Sequence, residues 1–368
     1  MIERLARYVA IPSLSKSEAE LADAVASEMS ALGLRVRRSG HNVWCETGDA
    51  DRPRLLWNSH LDTVPPGDGW TGDPWTPRVG DGRLVGLGAN DAKGCVVALI
   101  EAFLRLHAAV RAGAPLGGTI VLALTAEEEN SGAGLGTVLD QLDPLDAALV
   151  GEPTGLTPMI AQRGLLIVRG VSRGRTGHPA NVPMTGRENA IVEAARDLVA
   201  LSAFDWGEVH PLLGRCHAHP TRIGGGIANN VVPDACEYLL DIRTTPLESH
   251  ASLLARLKSA LRAELSVHSD RLVPVETSAG EPIVRAVCAA LPGAVPAGSP
   301  AMSDLVHLPG VPSVKIGPGD TRRSHTADEY VLASELSEAA DAYERIALFY
   351  FALAGAAHDA VREGVRSS

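Results

Sequence analysis

The sequence predicts an α/β protein, with a mostly parallel sheet sandwiched by helices and an inserted α+β two-layer domain. Three observations predict it. Segments apolar on both faces alternate with helical stretches through the first half of the chain, the pattern of strands covered on both sides. The texture changes after Gln162, where strand and helix signals alternate in smaller units, and the first pattern returns near Pro274. At 368 residues the chain also exceeds one average core. These boundaries give a first domain of residues 1–163 and 273–368 and an insertion of residues 164–272.

Taken in order, Ser17 and Glu20 have the spacing of a capping box. Leu21, Val25, Met29 and Leu32 then recur at helical spacing until Gly33 stops the run. A buried strand is expected at Leu55–Ser59. The Gly-, Pro- and Asp-rich stretch from Thr63 to Gly88 reads as a long functional loop. A helix follows from Lys93 to Val110, then continuous apolar strands at Thr119–Thr125 and Ala147–Val150. In the insertion, Leu165–Val171 and Cys236–Arg243 read as strands, and Glu188–Leu201 and His250–Leu265 as helices. The first domain closes with a helix at Pro282–Ala290, a strand at Pro312–Gly317 and a helix at Ala333–Leu353.

Composition narrows the function. With 33 Lys+Arg against 44 Asp+Glu the net charge is −11, which argues against nucleic acid and anionic membrane as partners. No run of 18 apolar residues could span a bilayer. The N-terminal MIERLARYVAIPSLSKSE lacks the apolar core of a signal peptide. Five scattered cysteines, with no Cys-x-x-Cys, fit a reducing compartment and no thiolate metal site. A cytoplasmic protein is expected.

In an open parallel sheet, ligands bind beyond the carboxyl ends of the strands. The predicted strand ends deliver His60 and Asp62, then Glu127, Glu128 and Glu129, then Glu152, and the last leads to His325, while Asp91 opens a helix. Alone, each fragment is bland: a His-x-Asp pair is ordinarily a surface hydrogen bond, and three glutamates a solvated turn. Together they form a surplus of carboxylates that should repel unless cations sit among them. Two His with several carboxylates suit zinc or a similar divalent ion. Two metals sharing one carboxylate would explain Asp91. Of two adjacent glutamates, one can bind metal while its neighbour holds the water.

The fragments WNSHLDTVPPGDGW, GLGANDAKG, TAEEENSG, GEPT and RSHTADEYV resemble the metal-site blocks of one family of zinc hydrolases. It comprises acetylornithine deacetylases, succinyl-diaminopimelate desuccinylases, aminoacylases and carboxypeptidases G. The likeness runs from IPSLSKSEAE to the last helix. It implies a zinc-peptidase-like catalytic domain carrying a lid and dimerisation domain. Residue by residue, it implies that His60 and Glu152 bind one metal, that Glu129 and His325 bind the other, and that Asp91 bridges them. A cis Asp91–Ala92 peptide, Asp62 orienting His60 and Glu128 as general base are implied as well. GRTGHPANVPMTGRENAI is similar to the block whose histidine, here His178, reaches the partner subunit's site. IGGGIANNVVPDACEYLLDIRTTP resembles the substrate-binding block, placing Asn230 and Arg243 at the substrate. The pattern departs at Leu87, where relatives often carry a polar residue. Arg322 and Arg323 are unusually basic for this protein and read either as a reader of the substrate's polar end or as charge balance.

A serine hydrolase fails as a rival. Gly170-Val171-Ser172-Arg173-Gly174 fits the nucleophile-elbow spacing, but Gly174, Gly177 and Pro179 prevent the helix that must follow. There is no His-Glu-x-x-His and no phosphate-binding Gly-x-x-x-x-Gly-Lys loop. A non-enzymatic metal-binding protein would not need Glu128. The expectation is a homodimeric hydrolase with two divalent cations, zinc with cobalt able to substitute, that deacylates a small N-acyl amino acid. N-Acetylornithine or N-acetylcitrulline in arginine biosynthesis is the leading case. Desuccinylase, carboxypeptidase and carrier-bound lysine or ornithine hydrolase remain alternatives.

Overall fold

A computed structural model of the protein describes residues 1–50, 53–186 and 188–366. Its contacts cluster into two compact units. One comprises Met1–Ile160, Thr277–Ala297 and the chain from Ser303 onward, the other Ala161–Glu276 and Gly298–Met302.

The first unit is built on a mixed sheet whose centre is parallel. Strand Arg54–His60 lies between Thr119–Thr125 and Ala147–Val150, both parallel to it, and Ser313–Lys315 continues the parallel run beside Ala147–Val150. All four strands are buried along their whole length. Side chains on both pleated faces are therefore removed from water, at about 1.5–3 kcal/mol for each fully buried Leu, Ile or Val. The sequence reading did not include Asn42–Gly48, which pairs antiparallel with Thr119–Thr125 and carries the hairpin strand Arg37–Ser39 at its edge.

Helices flank this sheet. Lys93–Arg111 packs against the sheet and against the long closing helix Ala333–Arg366, which also packs on Pro282–Ala290. Lys93 is fully buried and donates to the Tyr8 and Ile11 carbonyls at 3.0 and 3.2 Å, tying the first helix, Ile2–Val9, to the core. Burial pulls its pKa down to about 7.

Two local expectations need correction. The capping box does not form: the helix spans Ala19–Ala31 with Glu18 at its N-cap, and no side chain caps it. The stretch from Thr63 to Gly88 is not all loop, because Arg78–Gly80 and Arg83–Val85 form a hairpin completed by Tyr330–Leu332. These strands are three residues each, too short to show a period.

The second unit is a four-stranded antiparallel sheet in the order His217–Gly225, Ala235–Thr244, Gly164–Arg173, Glu264–Leu272. Leu166, Val168, Tyr238, Leu240 and Ile242 face a core shared with Leu253 and Leu257 of helix His250–Ala260 and Ala190 and Ala194 of helix Ala190–Ala200. Asn189 and Ser249 supply the side-chain N-caps that start these helices. The predicted helix to Leu265 stops at Ala260, since Leu265 belongs to an edge strand.

Candidate metal centre

Five segments of the first unit converge at the carboxyl ends of its parallel strands. Strand Arg54–His60 ends in His60, which is 1% exposed. Its Nε2 lies 3.2 Å from Asp91 Oδ1 and 3.8 Å from Glu152 Oε1. Asp91 precedes helix Lys93–Arg111, and the Asp91–Ala92 peptide is cis. Glu152 follows strand Ala147–Val150, held by the Gly151 amide on the Asn58 carbonyl at 2.7 Å and by Ser59 Oγ donating to the Gly151 carbonyl at 2.8 Å. Strand Thr119–Thr125 leads into Glu127, Glu128 and Glu129, and Glu129 Oε1 lies 2.8 Å from His325 Nε2. The other Asp91 oxygen is 3.7 Å from the same His325 nitrogen.

Asp91 thus stands between two groups. His60, Asp91 and Glu152 have ligand atoms within 4.8 Å of one another, and so do Asp91, Glu129 and His325. A third overlapping set joins His60, Glu128 and Glu129. His325 is placed from the far end of the chain. The Asn90 amide donates to the Asp320 carbonyl at 3.1 Å and to Ser324 Oγ at 3.2 Å, and its oxygen accepts from Asp320 N at 3.0 Å. That clamp holds the His325 turn beside Asp91.

Asp62 does more than face the imidazole. His60 Nδ1 lies 3.0 Å from the main-chain oxygen of Asp62 and 3.5 Å from its carboxylate. The carboxylate itself accepts from Glu128 N at 3.1 Å, Glu129 N at 3.0 Å and Ser15 Oγ at 2.6 Å. One buried aspartate therefore ties together the two strand ends that carry His60 and the glutamates.

The electrostatics describe a donor set short of positive charge. Burial pushes the Glu152 carboxyl up to about 8, with Asp91 adding to the rise. Burial also lifts Glu128 well above the carboxylate range, reinforced by Glu152 and Asp304. For His60, burial disfavours the charged ring, but the bonds to Asp62 and Asp91 prevail and hold its proton well above the usual value. The Glu129 bond likewise raises His325. Two imidazoles, four carboxylates and no thiolate form a mixed N/O set that fits divalent metal.

The structure adds Asp304, which no sequence motif marked. It is buried, accepts from Thr125 Oγ1 at 3.1 Å, and is raised to about 6 by burial. Its only signal was an acid in an otherwise apolar stretch.

Three expected residues lie in the second unit. His178 is exposed, and its Nδ1 accepts from Ala180 N at 3.3 Å, capping the turn Pro179–Asn181. Asn230 is exposed after strand His217–Gly225. Arg243 projects from strand Ala235–Thr244 and makes a two-pronged contact with Asp241, at 2.8 and 3.2 Å. Arg322 and Arg323 are engaged as charge balance, Arg322 by Asp320 and Arg323 by Glu335 at 2.9 and 3.0 Å. Ser172 is buried within a strand, so no nucleophile elbow exists there.

Comparisons with known proteins agree with this architecture. The family model for peptidase family M20/M25/M40 matches residues 56–348. A succinyl-diaminopimelate desuccinylase of Xylella fastidiosa (strain 9a5c) is 30% identical over 367 residues, covering 90% of this chain and 94% of the relative. An N-acetyl-L-citrulline deacetylase of Xanthomonas campestris pv. campestris is 28% identical over 313 residues, covering 80% and 81%. Among solved structures, the Bacillus subtilis YXEP protein, described as a dinuclear metal binding peptidase, superposes with a TM-score of 0.74. It is 18% identical, over 96% of this chain and 98% of that one.

Proposed function

Because the chain belongs to peptidase family M20/M25/M40, and is on that ground a metal-dependent amide hydrolase, we propose that it removes the acyl group from a small N-acyl amino acid. The observation that carries the reading is the shared Asp91, flanked by a His–Glu pair on each side, with Glu128 beside both. We assign His60 and Glu152 to one cation, Glu129 and His325 to the other, and Asp91 to both, with zinc the expected ion and cobalt a substitute. When bound, the pair of cations supplies Lewis acidity toward the acyl carbonyl and lowers the pKa of water.

The chain's own groups do the rest. Glu128, half-buried beside His60 and Glu129, accepts a proton from the attacking water and returns it to the leaving amine. Asp62 holds the amides of Glu128 and Glu129, which fixes base and ligand relative to each other. In a homodimer, His178 acting from the partner subunit donates a hydrogen bond to the oxyanion, a role worth roughly 3–4 kcal/mol. Asn230 and Arg243 contact the amino-acid end, and Arg243 must exchange its Asp241 partner for the substrate carboxylate. The second unit serves as the lid and dimerisation domain.

An acetylated substrate is favoured by the resemblance of GEPT and GPGDTRRSHTADEYV to acetylornithine deacetylases, and by the Xanthomonas relative. That would place the protein in cytoplasmic arginine biosynthesis. The Xylella relative supports a second reading, desuccinylation. Amine release by the zinc-loaded protein separates them, using N-acetylornithine, N-acetylcitrulline, N-succinyl-diaminopimelate and a glutamyl-capped peptide. Turnover of the acetyl compounds alone is expected. Preference for the succinyl compound would replace that substrate assignment, and no turnover with both metals bound would reject the hydrolase reading for all four compounds.

A further inference from the structure

The turn that carries Glu128 and Glu129 has an unusual support. After strand Thr119–Thr125, four successive backbone amides each donate to a side-chain oxygen from elsewhere in the chain. Ala126 N donates to Asn42 Oδ1 at 2.9 Å, and Glu127 N to Glu18 Oε1 at 3.0 Å. Glu128 N and Glu129 N donate to the two oxygens of Asp62, at 3.1 and 3.0 Å. The amides are aimed by acceptors that the turn itself does not own.

Glu18 stands out among these acceptors. It is fully buried, although an ionisable side chain is seldom found so unless paired. Its Oε1 accepts from Lys16 N at 2.8 Å as well as from Glu127 N, and its Oε2 lies 2.8 Å from His41 Nδ1. Both amides belong to non-glycine residues in the left-handed region, Lys16 at φ 75° and Glu127 at φ 61°. Such conformations are unfavourable for an L-residue and persist where surrounding contacts enforce them. Glu127 contributes no ligand. Its left-handed backbone nevertheless decides where the next two side chains point, because a rotation there swings Glu128 and Glu129 together.

We propose that Glu18 is a positioning residue for the reaction. Its buried carboxylate, oriented by His41, holds Glu127 in the left-handed conformation that presents Glu128 and Glu129 to the centre. The inference rests on the assignment of Glu128 as base and Glu129 as ligand. It also explains why Glu18, standing at a helix N-cap, leaves that helix uncapped: its oxygens are committed to the turn and to His41.

The test compares Glu18→Ala, Glu18→Asp and Glu18→Gln in the full chain. Gln keeps an acceptor oxygen at the same reach. Asp withdraws the carboxylate by one methylene and serves if the Ala variant does not fold. Hydrogen exchange of the peptide spanning residues 126–132, in metal-free protein, should quicken at least about tenfold in the Ala or Asp variant. Exchange in helix Lys93–Arg111 should not change. One of two Co2+ equivalents should bind about 10–100-fold more weakly, the range found for groups that orient metal ligands. On whichever substrate the wild type hydrolyses, kcat should fall over a similar range with KM within about twofold, and Glu18→Gln should restore most of it. Wild-type exchange and Co2+ binding in Glu18→Ala, or in Glu18→Asp if that variant alone folds, would overturn the proposal. So would a Gln variant as impaired as Ala. If the wild type hydrolyses none of the panel, the functional reading falls, while exchange and Co2+ binding still decide the role of Glu18.

Discussion

Loading the centre with a divalent cation should release protons, and their number follows from the cluster. With its pKa at about 8, Glu152 is protonated in about nine molecules of ten at pH 7. His60 is held protonated well above its usual value, so it too carries a proton at pH 7. Both must lose them to act as ligands. Because the two groups titrate as a pair, ionised Glu152 raising His60 and charged His60 lowering Glu152, binding at the His60–Asp91–Glu152 group should release at least one proton at pH 7, and the affinity should climb about tenfold or more per pH unit there. Above pH 8 Glu152 no longer contributes and the slope falls. Folding without metal should show the same linkage. A carboxyl raised from 4.5 to about 8 favours the fold fully below pH 4.5 and loses that contribution as pH climbs to 8, a change of about 5 kcal/mol. His60, raised in the fold, acts in the same sense: its contribution is present below pH 6.5 and is lost as pH rises through its folded value. The assay is titration calorimetry of Zn2+ into chelator-treated protein in phosphate and in Tris at one pH, with urea unfolding of the metal-free protein from pH 5 to 9. Heats independent of the buffer, or metal-free stability that does not decline with pH, would refute the reasoning.

Four other outcomes are expected. Glu128→Gln should lower kcat by about 10²–10⁴ while both cations still bind, read by metal analysis beside turnover. Replacing His325 by Ala breaks only the Asp91–Glu129–His325 group, so bound metal should fall from two equivalents toward one. Asp62→Ala strands the partly buried amides of Glu128 and Glu129, at no more than about 1–3 kcal/mol each, so stability to urea should drop by a few kcal/mol at most and activity with it. Gly134→Ala would drive a methyl into the Ala126 carbonyl and Asn42 Oδ1, costing about 1–3 kcal/mol and disturbing the glutamate turn, visible in thermal unfolding.

The parallel core was legible because Thr119–Thr125 and Ala147–Val150 are continuous apolar runs, and a strand buried on both faces leaves that imprint. The charged residues just past those runs were legible for the same reason: once the strand ends are placed, His60, Glu129 and Glu152 have one rim to occupy. Edge strands leave no such imprint. His217–Gly225 contains Pro220 and two glycines and is largely exposed, so neither composition nor period marks it. Glu18 and Asp304 were invisible for a different reason. Their partners, Glu127 and Thr125, lie 109 and 179 residues away, and a single acid in either neighbourhood is ordinary. Ser17 and Glu20 had the spacing of a cap, yet Glu18 and its long-range partners took the N-cap position. Spacing reports local options, and tertiary partners choose among them.

The order in which the chain is made bears on the centre. At about 5–20 residues per second, His325 emerges roughly 13–53 s after His60. Once Glu152 has been made and until His325 appears, a growing chain can offer the His60–Glu152 pair but not the second, and Asp91 would have nothing to bridge. On the proposed assignment, cation uptake at the second position should therefore mark the moment when synthesis has passed the insertion and the last parallel strand has docked. A ribosome stalled before His325 should leave a nascent protein that takes one ion and cannot take two.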